Sequence, residues 1–325
     1  MAPLRLDPEY AQHLANVMSL FGTQTPPRAK VGDVATRRTA SDDLWPILMA
    51  QLPPTPDVEK THLGHAKSFD GHEVPIYRFA KKGASQDTAA PAIVYSHGGG
   101  FIALSVELYS PLISTYVAMS GVQIFAMDYR LAPEVRFPAP LEDCYAALQY
   151  VHDNAVLFGV DVARIAVMGD SAGGGLCAGT AILARNRGLP LAKQLVVHGN
   201  LDDRNIKTSA WPELAQFATW SSEDNITGWD AYIEAGHEFK NYIAAPAAPA
   251  RLENMSDLAP LYLDVPALDI LRDEGIEYAR KAARAGVEVE LHVYPGVPHS
   301  FEVLCPRTKI AKAAMENRVR AMISF

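Results

Sequence analysis

Gly169-Asp170-Ser171-Ala172-Gly173 reads G-x-S-x-G and falls where an apolar stretch, Arg164 to Met168, gives way to a helical pattern from Ala172 to about Arg187. A serine at the tip of such a turn is pushed out of both elements with its hydroxyl exposed, and the flanking glycines leave no side chains to crowd the bend. The motif alone also fits a glycine-rich helix start that packs tightly. The chemistry it allows is nucleophilic attack. A free hydroxyl is a poor nucleophile at neutral pH and needs a base. His299, in Tyr294-Pro295-Gly296-Val297-Pro298-His299-Ser300-Phe301, is the candidate, because two prolines stiffen its loop enough to hold an imidazole in one place. His13, His62, His65, His72, His152 and His237 lie in polar contexts and are read as surface residues.

The base in turn needs a carboxylate to fix its tautomer and stabilise the imidazolium. Asp269 follows the apolar stretch Leu261 to Asp264 and precedes a helical pattern, which puts it at the same carboxyl edge of a sheet as Ser171 and His299. Asp273 and Glu274 are rivals whose place in a first helical turn is explained equally well by the helix dipole; Asp264 is a third. An acyl-transfer site also needs backbone N–H donors aimed at a developing oxyanion. His97-Gly98-Gly99-Gly100 directly follows the strand pattern Ala92 to Ser96, so Gly98 and Gly99, with Ala172 beside the serine, are the expected donors. His97 is expected to hydrogen-bond within its loop and hold the glycines. A phosphate cradle is the other use of such a loop, but neither G-x-G-x-x-G nor a G-K-[ST] ending is present.

These residues need a scaffold. The chain has 325 residues, 49% hydrophobic and 20% charged, ample for one large α/β domain with an accessory element or for two domains. A net charge of -8 argues against nucleic-acid binding. Cys144, Cys177 and Cys305 are scattered and form no metal-site or disulfide pattern, which fits a cytoplasmic setting, and neither a signal-peptide run nor a membrane-spanning segment is evident. No cofactor or metal is implied. Helical patterns at Pro8 to Phe21 and Ser41 to Gln51 flank a polar stretch, Gly22 to Thr39, read as a linker. Thr61 to Phe69 and Glu73 to Phe79 read as strands about an Asp70-Gly71 turn. Strand patterns then alternate with helices: Ala92 to Ser96, Val122 to Met127, Ile165 to Met168, Gln194 to Val197, Leu261 to Asp264 and Glu288 to Tyr294, with helices at Leu108 to Ser120, Leu141 to Asn154, Ala172 to Arg187, Arg272 to Ala285 and Pro306 to Met322. This predicts an α/β fold with a mostly parallel sheet of about eight strands. The alternation breaks between Gly199 and about Ala259, a long insert holding Trp211, Phe217, Trp220, Trp229, Tyr232, Phe239 and Tyr242. Inserts of this length act as lids or binding elements, although the aromatics could equally form the insert's own core.

The order Ser171, Asp269, His299 is that of α/β-hydrolases. Through His97-Gly98-Gly99-Gly100-Phe101, Asp128-Tyr129-Arg130-Leu131-Ala132-Pro133-Glu134, Gly169-Asp170-Ser171-Ala172-Gly173-Gly174, Asp269-Ile270-Leu271-Arg272-Asp273 and the loop around His299, the chain resembles the hormone-sensitive-lipase-like family of serine carboxylesterases. The resemblance implies an α/β-hydrolase fold in three parts: a helical arm at 1–55 that forms part of a cap, a catalytic core at 56–199 and 260–325, and a cap insert at 200–259. It implies a small-molecule ester substrate of short to medium acyl chain or an acetylated metabolite, with Phe101, Trp211, Phe217 and Trp220 as candidate pocket residues, and a homodimer. A lactonase or acyltransferase using the same serine, or a non-hydrolytic binding protein of this fold, are the alternatives. Two positions depart from the family pattern: Ile270 stands where proline commonly follows the aspartate, and Ser300 where glycine often follows the histidine.

Overall fold

The computed structural model describes residues 4–19, 29–84, 89–205, 212–234 and 245–325. Eight strands form one sheet in the order β1-β2-β4-β3-β5-β6-β7-β8. They are β1 (Val58–Lys67), β2 (Glu73–Lys81), β3 (Ala90–Ser96), β4 (Gln123–Met127), β5 (Val160–Asp170), β6 (Lys193–Val197), β7 (Leu261–Pro266) and β8 (Val289–Tyr294). β2 runs antiparallel to both β1 and β4, and every other pair is parallel. The central strands β3, β4 and β6 are buried almost throughout, as their near-continuous apolar runs require when helices cover both faces of a parallel sheet. The hairpin turn between β1 and β2 falls at Asp70-Gly71, where the Asp70 carboxylate accepts from the His72 amide at 3.1 Å.

The described helices are α1 (Pro8–Ser19), α2 (Val34–Met49), α3 (Val106–Ser120), α4 (Ala139–Asp153), α5 (Ala155–Phe158), α6 (Ala172–Arg187), α7 (Ser222–Tyr232), α8 (Arg272–Arg284), α9 (Phe301–Leu304) and α10 (Lys309–Met322). At the starts of α2 and α10, side-chain caps set bounds that differ from the sequence patterning. The polar stretch read as a linker up to Thr39 is helical from Val34 onward, because Asp33 caps the helix by accepting from the Thr36 amide. The polar side chains that suggested a linker are spent on contacts: Arg37 reaches Asp224 at 2.7 Å, and Arg38 forms a two-pronged pair with Glu134. At the other end of the chain the last helix begins at Lys309 rather than Pro306, capped by Thr308.

Within the long insert, a short 3-10 turn at Pro212–Phe217 precedes α7, which opens on a capping box formed by Ser221 and Asp224. Its aromatics divide by role. Trp229 and Tyr232 are fully buried and pack on Phe101, so they are core. Trp220 borders the cavity described next. Trp211, Phe239 and Tyr242 lie outside the described residues.

Candidate active site

Ser171 sits between β5 and α6 with φ of 54° and ψ of -123°, a conformation rare for any side chain except glycine. Such strain persists only where surrounding structure over-determines it. Here the loop after β6 supplies the restraint from both sides: the Ser171 amide donates to the Val197 carbonyl, and the Asn200 amide donates to the Ser171 carbonyl, each at 2.9 Å. The hydroxyl therefore has a fixed position at the start of α6, where the helix's unpaired N–H groups leave partial positive charge.

His299 Nε2 lies 2.9 Å from Ser171 Oγ, and its Nδ1 lies 2.6 Å from Asp269 Oδ2. Asp269, ionised, can only accept, so Nδ1 carries the proton and Nε2 is left to accept from the serine hydroxyl. All three side chains are buried. The two loops that carry the pair are stitched together by backbone bonds, Ala267 N to Tyr294 O at 2.8 Å and Leu268 N to Val297 O at 3.0 Å. Asp269 Oδ1 accepts from the Leu271 amide at 3.0 Å, which holds the carboxylate's other oxygen. The N-terminal segment and the insert also grip this loop, through Asp7 N to Gly296 O and Thr219 Oγ1 to the His299 carbonyl, both 2.8 Å.

The rival carboxylates are engaged elsewhere. Asp264 is paired with buried Arg318. Glu274 accepts from the Leu201 amide at 2.7 Å, and burial holds its carboxyl well above the usual range. Asp273 pairs with Arg272. His97 stays inside its loop, as expected: its Nδ1 contacts the Gly98 carbonyl at 2.7 Å, its ring stacks on Tyr129, and burial pushes it below the ordinary histidine range.

A cavity of about 140 Å³ opens onto Ser171 and His299. Its walls come from Leu44, Trp45 and Leu48 of α2, from Gly99, Gly100, Leu104 and Tyr109, and from Thr219 and Trp220 of the insert. Three of the expected residues do not line this cavity. Gly98 does not border the cavity: a Cβ there would come within 2.6 Å of the Tyr109 hydroxyl and 2.9 Å of the Asp170 carboxylate, so this glycine serves packing. The glycines beside Ser171 are Gly99 and Gly100, the latter lying directly under the Trp220 ring. Phe101 is likewise not a wall of the cavity, because its ring is stacked on Tyr232 at 4.4 Å. Phe217, half-buried, is not among the walls either, whereas Trp220 is. Trp45 and Leu44 had no sequence signal, since they reach the site only through the packing of α2 against α3, α7 and α9. Among the described residues, no group of three or more histidine, cysteine or acidic side chains is placed to hold a metal, and no helix is long and apolar enough to cross a membrane.

Residues 93–303 match a family model described as the alpha/beta hydrolase fold. Among curated proteins, the chain is 36% identical over 216 residues to esterase LipI of Mycobacterium tuberculosis, covering 65% of this chain and 66% of that one. It is 30% identical over 241 residues to an ethyl acetate hydrolase of Pseudomonas putida, covering 71% and 72%. Among solved structures, a bacterial heroin esterase superposes with a TM-score of 0.88 at 34% identity, covering 98% of this chain and 97% of that one. The motifs and the Ser171, Asp269 and His299 side chains lie within the span matched by the family model, and the chain belongs to the hormone-sensitive-lipase-like family of α/β-hydrolases, a family of carboxylic ester hydrolases.

Proposed function

We propose that this chain is a serine carboxylesterase acting on small-molecule esters of short acyl chain through an acyl-enzyme. The observation that carries the reading is the chain of contacts from Asp269 through His299 to Ser171, 2.6 and 2.9 Å long, opening on a small cavity. Ser171 Oγ attacks the ester carbonyl carbon as His299 Nε2 takes its proton. The carbonyl electron pair moves onto oxygen, where the N–H groups of Gly99, Gly100 and Ala172 stabilise it. Collapse of this intermediate breaks the carbon–alkoxy bond, and the proton on Nε2 passes to the leaving alcohol. Water then repeats the sequence with His299 as base, releasing the acid and restoring Ser171. Asp269 stays ionised and steadies the imidazolium.

The size of the cavity supports a short acyl group, and the name of the Pseudomonas putida relative supports an acetate ester. Residues 1–55 and 200–259 act as the cap over the core, a reading supported by Trp45 and Trp220 reaching the cavity from either side. Exposed Leu291 and Val293 on the edge strand β8 support a homodimer, and three buried, unpaired thiols support a cytoplasmic location. The test of the activity is hydrolysis of p-nitrophenyl acetate, butyrate and decanoate by the native chain and by Ser171→Ala. The expected result is a falling rate with chain length and loss of turnover in the variant; equal rates in the two proteins overturn the reading.

A further inference from the structure

A second histidine touches the first, and the reaction above gives it no task. His198 directly follows β6, is fully buried, and sets its ring edge-on to His299 with centroids 4.5 Å apart and planes at 67°. Its Nε2 lies 3.0 Å from Glu302 Oε1, and the same oxygen receives Arg318 Nη1 at 2.8 Å. Arg318 is itself locked by a two-pronged contact with Asp264, at 2.7 and 3.0 Å. Four ionisable side chains, from the end of β6, from β7, from α9 and from α10, thus form one buried line that ends on the ring of His299.

Desolvating such a set is expensive, and well-packed apolar residues often serve stability equally well. A role beyond stability is therefore the more economical account. Asp264, Glu302 and Arg318 sum to one negative charge, and a proton on His198 brings the buried set to neutrality. Burial opposes that proton, but the Glu302 carboxylate beside the ring outweighs it and raises His198 above the ordinary histidine range. His198 is also faced by Asp170 at the end of β5 and by Arg318, whose charges act in opposite senses. The bond from Asp269 to His299 fixes one ring nitrogen yet leaves the imidazole free to pivot about that bond. A rigid ring pressed against its side removes that freedom. Glu302 lies three residues after His299, so the clamp and the clamped ring belong to one short stretch of chain.

We propose that His198, clamped by Glu302 and Arg318, is a positioning residue that holds His299 Nε2 on Ser171. This rests on the assignment of His299 as the base. His198→Ala is expected to lower kcat for p-nitrophenyl acetate by about ten- to a hundredfold with KM changed by less than about twofold, because small misplacements of a reacting group are costly. His198→Phe, which keeps a flat ring against His299, restores most of the loss. A second readout does not depend on hydrolysis: the downfield proton resonance of the His299 Nδ1–H shared with Asp269, assigned by its absence in His299→Ala. It is expected sharp in the native chain and in Ser171→Ala, broadened or lost in His198→Ala, and present again in His198→Phe. Should His198→Ala not fold, as read by its melting temperature, His198→Asn takes its place. Native kcat with an unchanged resonance in the folded variant overturns the proposal, and so does a loss of kcat that phenylalanine does not restore while the resonance stays sharp. If Ser171→Ala still hydrolyses ester, the functional reading fails on its own and the resonance still decides the positioning claim.

Discussion

The conformation of Ser171, with a positive φ held by Val197 and Asn200, makes the position of the proposed nucleophile independent of its own side chain. Ser171→Ala should therefore fold with a melting temperature within about 2 °C of native and lose burst-phase release of p-nitrophenol, since among the described residues the hydroxyl's one side-chain partner is His299 Nε2. At Gly100 the geometry makes a sharper demand. A Cβ there would run into the Trp220 ring, so Gly100→Ala should shift either the ring or the amide proposed as an oxyanion donor. Removing one oxyanion donor typically costs about 3 kcal/mol, and kcat is expected to fall about a hundredfold while KM changes little. Gly98→Ala should instead strike the Tyr109 hydroxyl and Asp170 and show mainly as lost stability, by melting temperature. Comparable kcat losses at Gly98 and Gly100, with both variants folded, would return Gly98 to the list of donors.

At the scale of elements, α2 and the insert meet over the core, and a few contacts hold them there. Arg37 is almost fully buried and joins α2 to the capping box of α7 through Asp224, while also donating to the Ala29 carbonyl at 2.9 Å. Asp224 remains partly exposed, which limits the cost of losing its partner. Arg37→Ala is expected to lower the melting temperature by about 2 to 5 °C and to raise KM more than it lowers kcat, because it loosens a wall of the cavity and leaves the contacts of His299 in place. Trp220 closes the cavity above Gly100. Trp220→Ala should enlarge the proposed acyl site and raise the ratio of butyrate to acetate kcat/KM by at least about tenfold, the lower end of what one methylene is worth in a pocket. An unchanged ratio would remove Trp220 from the acyl site.

Over the whole molecule, the buried line from Asp264 to His198 ties β7, α10, α9 and the end of β6 into one unit. Its pH dependence has a definite sign. His198 is raised in the folded state, where Glu302 favours its charge against the opposing effect of burial, so the stability it contributes is fully present below about pH 6.5 and is lost as pH rises through the folded value. Glu302 is held far below the usual carboxylate range: burial alone would raise it, but the Arg318 charge prevails. Its contribution is thus lost only as pH falls into the acid range and does not change between pH 6 and 9. His198→Asn should accordingly cost more melting temperature at pH 6 than at pH 9, and an equal cost at both would show that His198 is neutral in the folded chain.

The sequence by itself determined the parts that are local. The turn at Ser171, the alternation of strands and helices, and the order of Ser171, Asp269 and His299 are legible because each depends on a few neighbouring residues and on backbone geometry. Boundaries such as the start of α2 were harder to read, since Asp33 acts as a cap only if the polar residues after it find distant partners. What only the tertiary structure decided is which side chains meet across elements far apart in the chain. Phe101 stacks on Tyr232 rather than facing the cavity, Gly99 and Gly100 line the cavity at Ser171 where Gly98 does not, and Trp45 arrives from a helix more than a hundred residues before Ser171. His198 was invisible for the same reason: its contacts with His299 and Glu302 span 101 and 104 residues of chain. A motif encodes the bend that presents a group, whereas the surroundings of that group depend on how the sheet's order brings its strand ends together.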